Sequence, residues 1–379
     1  MSFGSFLMGG FECSTHRDKR GRRLDLIAST RHDQFAEEDY ARLMQLGLRS
    51  CRDGVRWHLI EPEPLKYDFS SLENQVKATR KTGIEVTWDY FHYGFPDDLD
   101  IFSPAFVERF VAFSEAVTEY LSSELNGRLL ACPVNEISFF SWAAAHVGSF
   151  YPATRRRGTE LKHQLVRAGI ASSRAIKSIR PDAVIMFTDP AIHVVSKDPT
   201  PSKLRAAEAY RQAQFEAFDM LLGRRELDLE GGPDVMDVVG LNYYFHNQWH
   251  HSNRRKLPLG HPLYRPLSDI LDEYRYRYGK PLVLAETGIE DDDRPEWFRY
   301  IAEQTRRALS IGVDIRGICL YPICNHPGWA DDRHCHNGLW DYADENGTRE
   351  VYQPLANEIR AQLPFFERSA AQRALTANG

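Results

Sequence analysis

The chain lacks long apolar runs. No stretch approaches the ~18 consecutive apolar residues of a membrane-spanning helix. It also lacks a basic excess: 47 Lys+Arg against 53 Asp+Glu leave a formal charge of −6. That balance argues against nucleic acid or an anionic membrane as the main partner, because both select a basic surface. Cysteines are few, and Cys13, Cys51, Cys132, Cys319, Cys324 and Cys335 form no C-x-x-C pair. The first four lie in or just after strand-like runs, so free buried thiols are expected. The opening segment MSFGSFLMGGFECSTH has no basic region, and glycines and Glu12 break its apolar run. It does not read as a secretory signal, and a cytoplasmic protein is the expectation. A G-x-G-x-x-G loop is missing too. Residues 8–11 offer only Gly9-Gly10 with no helix directly behind, which sets aside a doubly wound dinucleotide fold. Low-complexity linkers and internal repeats are likewise not seen. One domain over 1–367 is expected, followed by a small, polar, flexible tail at 368–379.

What is present is a recurrence. Runs rich in Val, Ile, Leu and aromatics fall at 6–13, 48–57, 84–91, 129–136, 183–189, 236–244, 281–286 and 316–323, and read as strands. They recur about every 44 residues, the size of a strand, a crossover helix and two loops. The intervening segments 36–46, 72–82, 103–121, 161–179, 204–222 and 297–311 carry helical periodicity. In 103–121, Phe106, Phe110, Phe113, Val117 and Leu121 share one face; Ser103 is placed to cap and Pro104 to open the helix. Several strands are apolar without alternation, as in a parallel sheet buried on both faces. Eight such units predict an α/β chain folded as a (β/α)₈ TIM barrel.

Such barrels place chemistry where strands end at their C-terminal side. The polar residues there are Glu12, His16, Arg52, His92, Asn135, Glu136, Asn242, Tyr243, Tyr244, Glu286, Tyr321 and Asn325. Two carboxylates terminate apolar strands directly: LLACPVNE ends at Glu136 and KPLVLAE at Glu286. Two carboxyl groups facing one pocket can divide the work of glycoside hydrolysis, one protonated and donating, the other ionised and attacking.

From residue 6 to 342 the ordered motifs resemble the family 1 glycoside hydrolases and their clan of (β/α)₈ retaining enzymes. Asn135-Glu136 resembles the pair at the end of the fourth strand, implying Glu136 as acid/base and Asn135 as holder of a sugar 2-hydroxyl; Ile137 stands where the family has Pro. Glu286 in Glu286-Thr287-Gly288 resembles the seventh-strand nucleophile. Arg52 and Tyr244, the latter in DVVGLNYY, match residues that contact that nucleophile. His92 in FHYGFP and Asn242 would position the sugar. The resemblance implies a retaining β-glycosidase acting on a carbohydrate, with no cofactor and no metal. Transfer of the sugar to another acceptor through the same intermediate, and a non-catalytic sugar-binding barrel, are the alternatives.

The sugar-reading half departs from the family. The first-strand Gln aligns with His16, and on the eighth strand Tyr321 replaces Trp, Gly328 replaces the hydroxyl-binding Glu, and Trp329 is kept. His16, Tyr321 and Trp329 are thus expected to contact substrate, with a specificity unlike that of ordinary β-glucosidases. Trp142 and Trp329 are candidate stacking platforms, whereas Trp57, Trp88 and Trp297 read as core. The loop holding His326, Asp331, Asp332, His334, Cys335 and His336 is too tightly spaced for a usual zinc site. It reads as pocket wall, with Arg333 available to an anionic sugar.

Overall fold

The computed structural model describes residues 3–377, with side chains through residue 367. Eight parallel strands close into a barrel. They are β1 (Leu7–Gly10), β2 (Ser50–Gly54), β3 (Glu85–Asp89), β4 (Leu130–Cys132), β5 (Val184–Pro190), β6 (Val238–Asn242), β7 (Leu282–Thr287) and β8 (Ile315–Leu320). Closure runs through β1, which pairs with β2 at Gly9↔Cys51 and with β8 at Met8↔Cys319. Every residue of β7 is buried, as expected of a parallel strand covered on both faces. All six expected helical segments are helical in whole or large part. A seventh, Leu267–Tyr278, and a last helix, Gln353–Ala377, lie outside that reading. The tail expected at 368–379 falls where side chains are not described, and 378–379 lie outside the described residues.

Helix α1 (His32–Leu46) ends at Gly47, whose φ of 91° closes the last turn in the left-handed region. Helix α2 (Glu73–Thr82) follows β2. Helix α3 (Pro104–Glu124) buries the predicted face, with Phe113 stacked on Trp57 at 5.0 Å between ring centres. Each fully buried Phe contributes roughly 1.5–3 kcal/mol of apolar burial. Pro104 opens the helix as expected, but Ser103 does not cap it. Its hydroxyl instead donates to Asp100 O at 2.7 Å, closing the preceding turn. All six cysteines are free and buried. Among the described residues no helix is long and apolar enough to cross a membrane.

Under the barrel wall, a buried polar network ties α1 to β2 and to the C-terminal segment. His32 contacts Asp39 and Asp53 at 2.8 Å each, Tyr40 donates to Asp53 at 2.6 Å, and Arg349 Nε donates to Asp39 at 2.6 Å. These groups are satisfied by one another, which is what permits their burial.

Candidate active site

At the C-terminal ends of the strands lies a cavity of about 1160 Å³. Its walls include Glu12, His92, Tyr93, Glu136, Tyr244, Glu286 and Trp329. Glu286 is the fifth residue of β7, opposite Asn242 on β6. Arg52 Nη1 donates to its Oε1 at 3.1 Å and Tyr244 Oη to its Oε2 at 2.8 Å. Arg52 itself is 1% exposed. The guanidinium spends its other donors on Asp89 Oδ2 (2.6 Å), Asn135 Oδ1 (3.1 Å) and Ala285 O (2.8 Å). It lies 5.3 Å from the Tyr321 ring centre.

Glu136 follows β4 with φ 49° and ψ 60°, a left-handed conformation that costs a non-glycine residue roughly 1–3 kcal/mol. Its amide is pinned to Thr188 O at 2.9 Å. The carboxyl accepts from Asn242 Nδ2 at 2.9 Å on Oε1, and from Tyr93 Oη on Oε2. Tyr93 also has positive φ, 69°. Strain at both partners of one hydrogen bond is the signature of a site whose geometry is imposed by its surroundings.

The electrostatics separate the two carboxyls. Burial pushes Glu136 well above the usual carboxylate range and the nearby Glu286 charge pushes it further, against the hydrogen bonds from Tyr93 and Asn242. Burial leaves Glu286 above the ordinary carboxylate range too, although Arg52 and then His92 hold it down. Among the described residues no cation touches Glu136, so the first proton belongs on Glu136 and the persisting charge on Glu286.

Behind these two stands a layer that holds them. Asp89, at the end of β3, pairs with Arg52 and accepts from His92 Nδ1 at 3.0 Å. Asn135 Oδ1 accepts from Arg52 and Thr188, which fixes its amide, so Nδ2 donates to His92 Nε2 and to Tyr93 Oη, each at 3.1 Å. In its neutral form His92 thus carries the proton on Nδ1, toward Asp89, with Nε2 accepting from Asn135. Burial disfavours its charge, but Asp89 and Glu12 raise its proton affinity above that of a free imidazole. Every hydrogen-bonding site of the Asn135 amide is taken, so a sugar hydroxyl reaches it only by displacing His92 or Tyr93. Asn242 Oδ1, by contrast, is buried without a partner among the described residues.

Several expected residues stand back from the wall. His16 does not line the cavity: it is fully buried, stacked on Phe150 at 4.2 Å and edge-on to Trp329 at 5.3 Å. Burial holds its pKa near 4. Glu12 occupies the wall from that loop. Burial pushes its carboxyl up, but His92, His326 and Ser14 outweigh this and hold it below the ordinary range. Tyr321 is 1% exposed and stacks parallel to His92 at 6.1 Å, serving as a floor rather than a contact surface. Arg52, Asn135 and Asn242 also sit behind the wall and act through the residues they touch. Trp329 and the exposed Trp142 line the cavity, while Trp57, Trp88 and Trp297 are core.

Asp89 and Tyr93 were not singled out from the sequence. The signals for them were a charged end to the buried strand EVTWD and a tyrosine next to His92. The His/Cys loop lines the cavity through His326, Arg333, Cys335 and Asn337. His326 Nε2 accepts from Asn337 Nδ2 at 3.0 Å. On the outer rim His334 Nε2 meets Asp341 Oδ1 at 2.6 Å.

No protein-family model matches the chain. Its fold is similar to that of the family 1 β-glucosidase from Thermotoga maritima, with TM-score 0.75 and 15% identity over 93% of this chain and 96% of that one. The same comparison with a Thermotoga maritima β-glucosidase in complex with glucoimidazole gives TM-score 0.76 at 16% identity, over 94% and 98%. The isofagomine lactam complex gives 0.77 at 16%, over 95% and 98%. At such identities the likeness speaks to the fold, the (β/α)₈ barrel. A β-galactosidase from Sulfolobus acidocaldarius is 37% identical over 76 residues, a stretch spanning 19% of this chain and 16% of that protein.

Proposed function

We propose that the chain is an O-glycoside hydrolase of the retaining β-glycosidase type, with Glu136 as acid/base and Glu286 as nucleophile. The observation that carries this reading is the unequal environment of two buried carboxyls on one cavity wall: a cation and a phenol on Glu286, and among the described residues no cation on Glu136. Support comes also from the fold shared with β-glucosidases solved in complex with glucoimidazole and isofagomine lactam.

In this account Glu136 enters the cycle protonated and gives its proton to the departing glycosidic oxygen, while Glu286 attacks the anomeric carbon. Arg52 and Tyr244 keep Glu286 ionised and fix the attacking oxygen, a matter of orientation as much as charge. Once Glu286 is esterified its charge is gone, the repulsion on Glu136 vanishes, and Glu136 ionises to draw a proton from incoming water. Tyr93 and Asn242 hydrogen bonds stabilise that ionised state. His92, held in place by Asn135, orients sugar hydroxyls, and Trp329 covers an apolar sugar face.

The test is a panel of aryl β-glycosides of different sugars, followed by proton NMR of the first-formed sugar. Retention of the β-anomer is expected. Glu136→Gln should slow aryl glycosides with poor leaving groups most, by about 10²–10⁴-fold, the usual worth of a general acid. Inversion, or full activity in both Glu136→Gln and Glu286→Gln, overturns the reading. Glycosyl transfer to an added acceptor would reveal transglycosylation through the same intermediate.

A further inference from the structure

The cavity is chemically divided. All of its acidic lining residues, Glu12, Glu136, Glu286, Glu290 and Asp331, come from β1, β4, β7 and β8 or the loops behind them. The lining contributed beyond Glu136 by the β4, β5 and β6 loops contains no carboxylate; it offers Trp142, Tyr210, Trp249, Lys162, Arg254 and Lys256. Of the four Lys and Arg on the wall, two are already neutralised. Arg333 is clamped in two bonds of 2.6 Å by Glu290, and Lys162 donates to Glu216 at 2.8 Å. Arg333 is therefore not free to receive an anionic sugar.

Arg254 and Lys256 differ. Among the described residues neither has a carboxylate in salt-bridge range. A solvated surface charge is the ordinary reading of such residues, but these are anchored. Arg254 Nη1 donates to Tyr210 Oη at 2.9 Å, and its guanidinium lies 4.7 Å from the Tyr210 ring centre and 5.8 Å from that of Trp249. Lys256 lies 4.4 Å from the Phe245 ring, and its backbone bridges Trp249. Cation–π contact orients a charge without cancelling it. An arginine so held presents the rest of its fork to a planar carboxylate, and the aromatic side chains beside it suit a ring.

We propose that the end of the cavity formed by the β4–β6 loops is a leaving-group site selective for an aglycone that is aromatic and carboxylated, with Arg254 and Lys256 as its specificity residues. The inference rests on the hydrolase reading above. The carboxylate-rich opposite end, by the same logic, takes an uncharged sugar.

The test compares 4-carboxyphenyl β-glycosides with their 4-carboxamidophenyl counterparts on each sugar of the panel, for the wild type, Arg254→Ala, Lys256→Ala and the double variant. The ratio of kcat/KM, carboxylate over carboxamide, cancels folding losses and is compared between proteins, so leaving-group acidity cancels too. It should fall about tenfold in the double variant, as expected for loss of charge-assisted bonds. In the wild type it should also fall as ionic strength rises. A ratio that is the same in all four proteins overturns the proposal. Turnover of neither glycoside on any sugar would count against the hydrolase reading instead. For that case the free leaving groups provide a separate test: 4-hydroxybenzoate should quench tryptophan fluorescence at lower concentration than 4-hydroxybenzamide, and the double variant should lose the difference. Equal binding of the two overturns the leaving-group site independently of catalysis.

Discussion

Replacing Tyr244 by Phe removes one hydrogen bond, 2.8 Å long, from Glu286 Oε2 and leaves Arg52 in place on Oε1. A hydrogen bond to a charged group contributes about 1.5–3 kcal/mol. With 1.36 kcal/mol to the pKa unit, losing it raises the Glu286 pKa by about 1–2 units. The sign follows from the bond favouring the ionised form. Because Glu286 must be ionised to attack, the acid limb of the kcat/KM profile, which reports the free enzyme, moves to higher pH by that amount. Tyr93→Phe is the matched control. It takes a bond from the ionised form of Glu136, so it raises the other carboxyl and moves the alkaline limb upward instead. The two carboxyls titrate as a pair, and the limbs carry the apparent values of that pair. The assay is a pH series of kcat/KM for the wild type and the two variants on one aryl glycoside. If Tyr244→Phe leaves the acid limb in place, or if both variants move the same limb, the division of roles between Glu136 and Glu286 is wrong.

Other consequences follow from the same contacts. Asp89→Asn strips a buried partner from both Arg52 and His92; breaking a buried ion pair costs about 3–5 kcal/mol, which should appear as a lower urea midpoint with an unchanged slope. His32 gives a stability signature of its own. Burial opposes its charge, but Asp53 and Asp39 lift its pKa to about 9. The folded value lies above the unfolded one of about 6.5. The stabilisation is therefore complete below about pH 6.5 and lost as pH rises through about 9, worth on the order of 3 kcal/mol. Urea midpoints of the wild type and His32→Gln should converge across that window; a constant gap would contradict it. Gly10→Ala sets a methyl 2.2 Å from the Tyr321 ring that floors Arg52 and His92. Overpacking of this kind costs about 1–3 kcal/mol, and thermal melts together with kcat should both register it.

The barrel was legible because its strands are short apolar runs. The β7 run LVLAET and the β5 run VIMFTDP sit where hydrophobicity alone puts them. The helix Leu267–Tyr278 was not read, although Leu267, Ile270, Leu271, Tyr274 and Tyr278 all face inward; five charged residues and an exposed Tyr276 interrupt the period. In the site, Glu136 and Glu286 stood out as charges that end buried strands. Asp89 has the same pattern, but its partners, Arg52 and His92, lie 37 and 3 residues away on other turns of the chain. The pairing of β2 with β3 brings Arg52 to Asp89 and His92. His16 shows the opposite limit. Counting from β1 fixes a residue's number beyond the strand, not where the loop turns its side chain, and here the loop packs it against Phe150 while Glu12 faces the cavity.

The central claim is that Glu286 carries the sugar covalently. It is tested most directly by intact-protein and peptide mass spectrometry after incubation with 2-deoxy-2-fluoroglycosyl fluorides of the sugars that the enzyme turns over. The account predicts one added sugar per chain in the wild type, located on the peptide containing Glu286, and none in Glu286→Gln. An adduct on a different residue, or one that persists in Glu286→Gln, would contradict it.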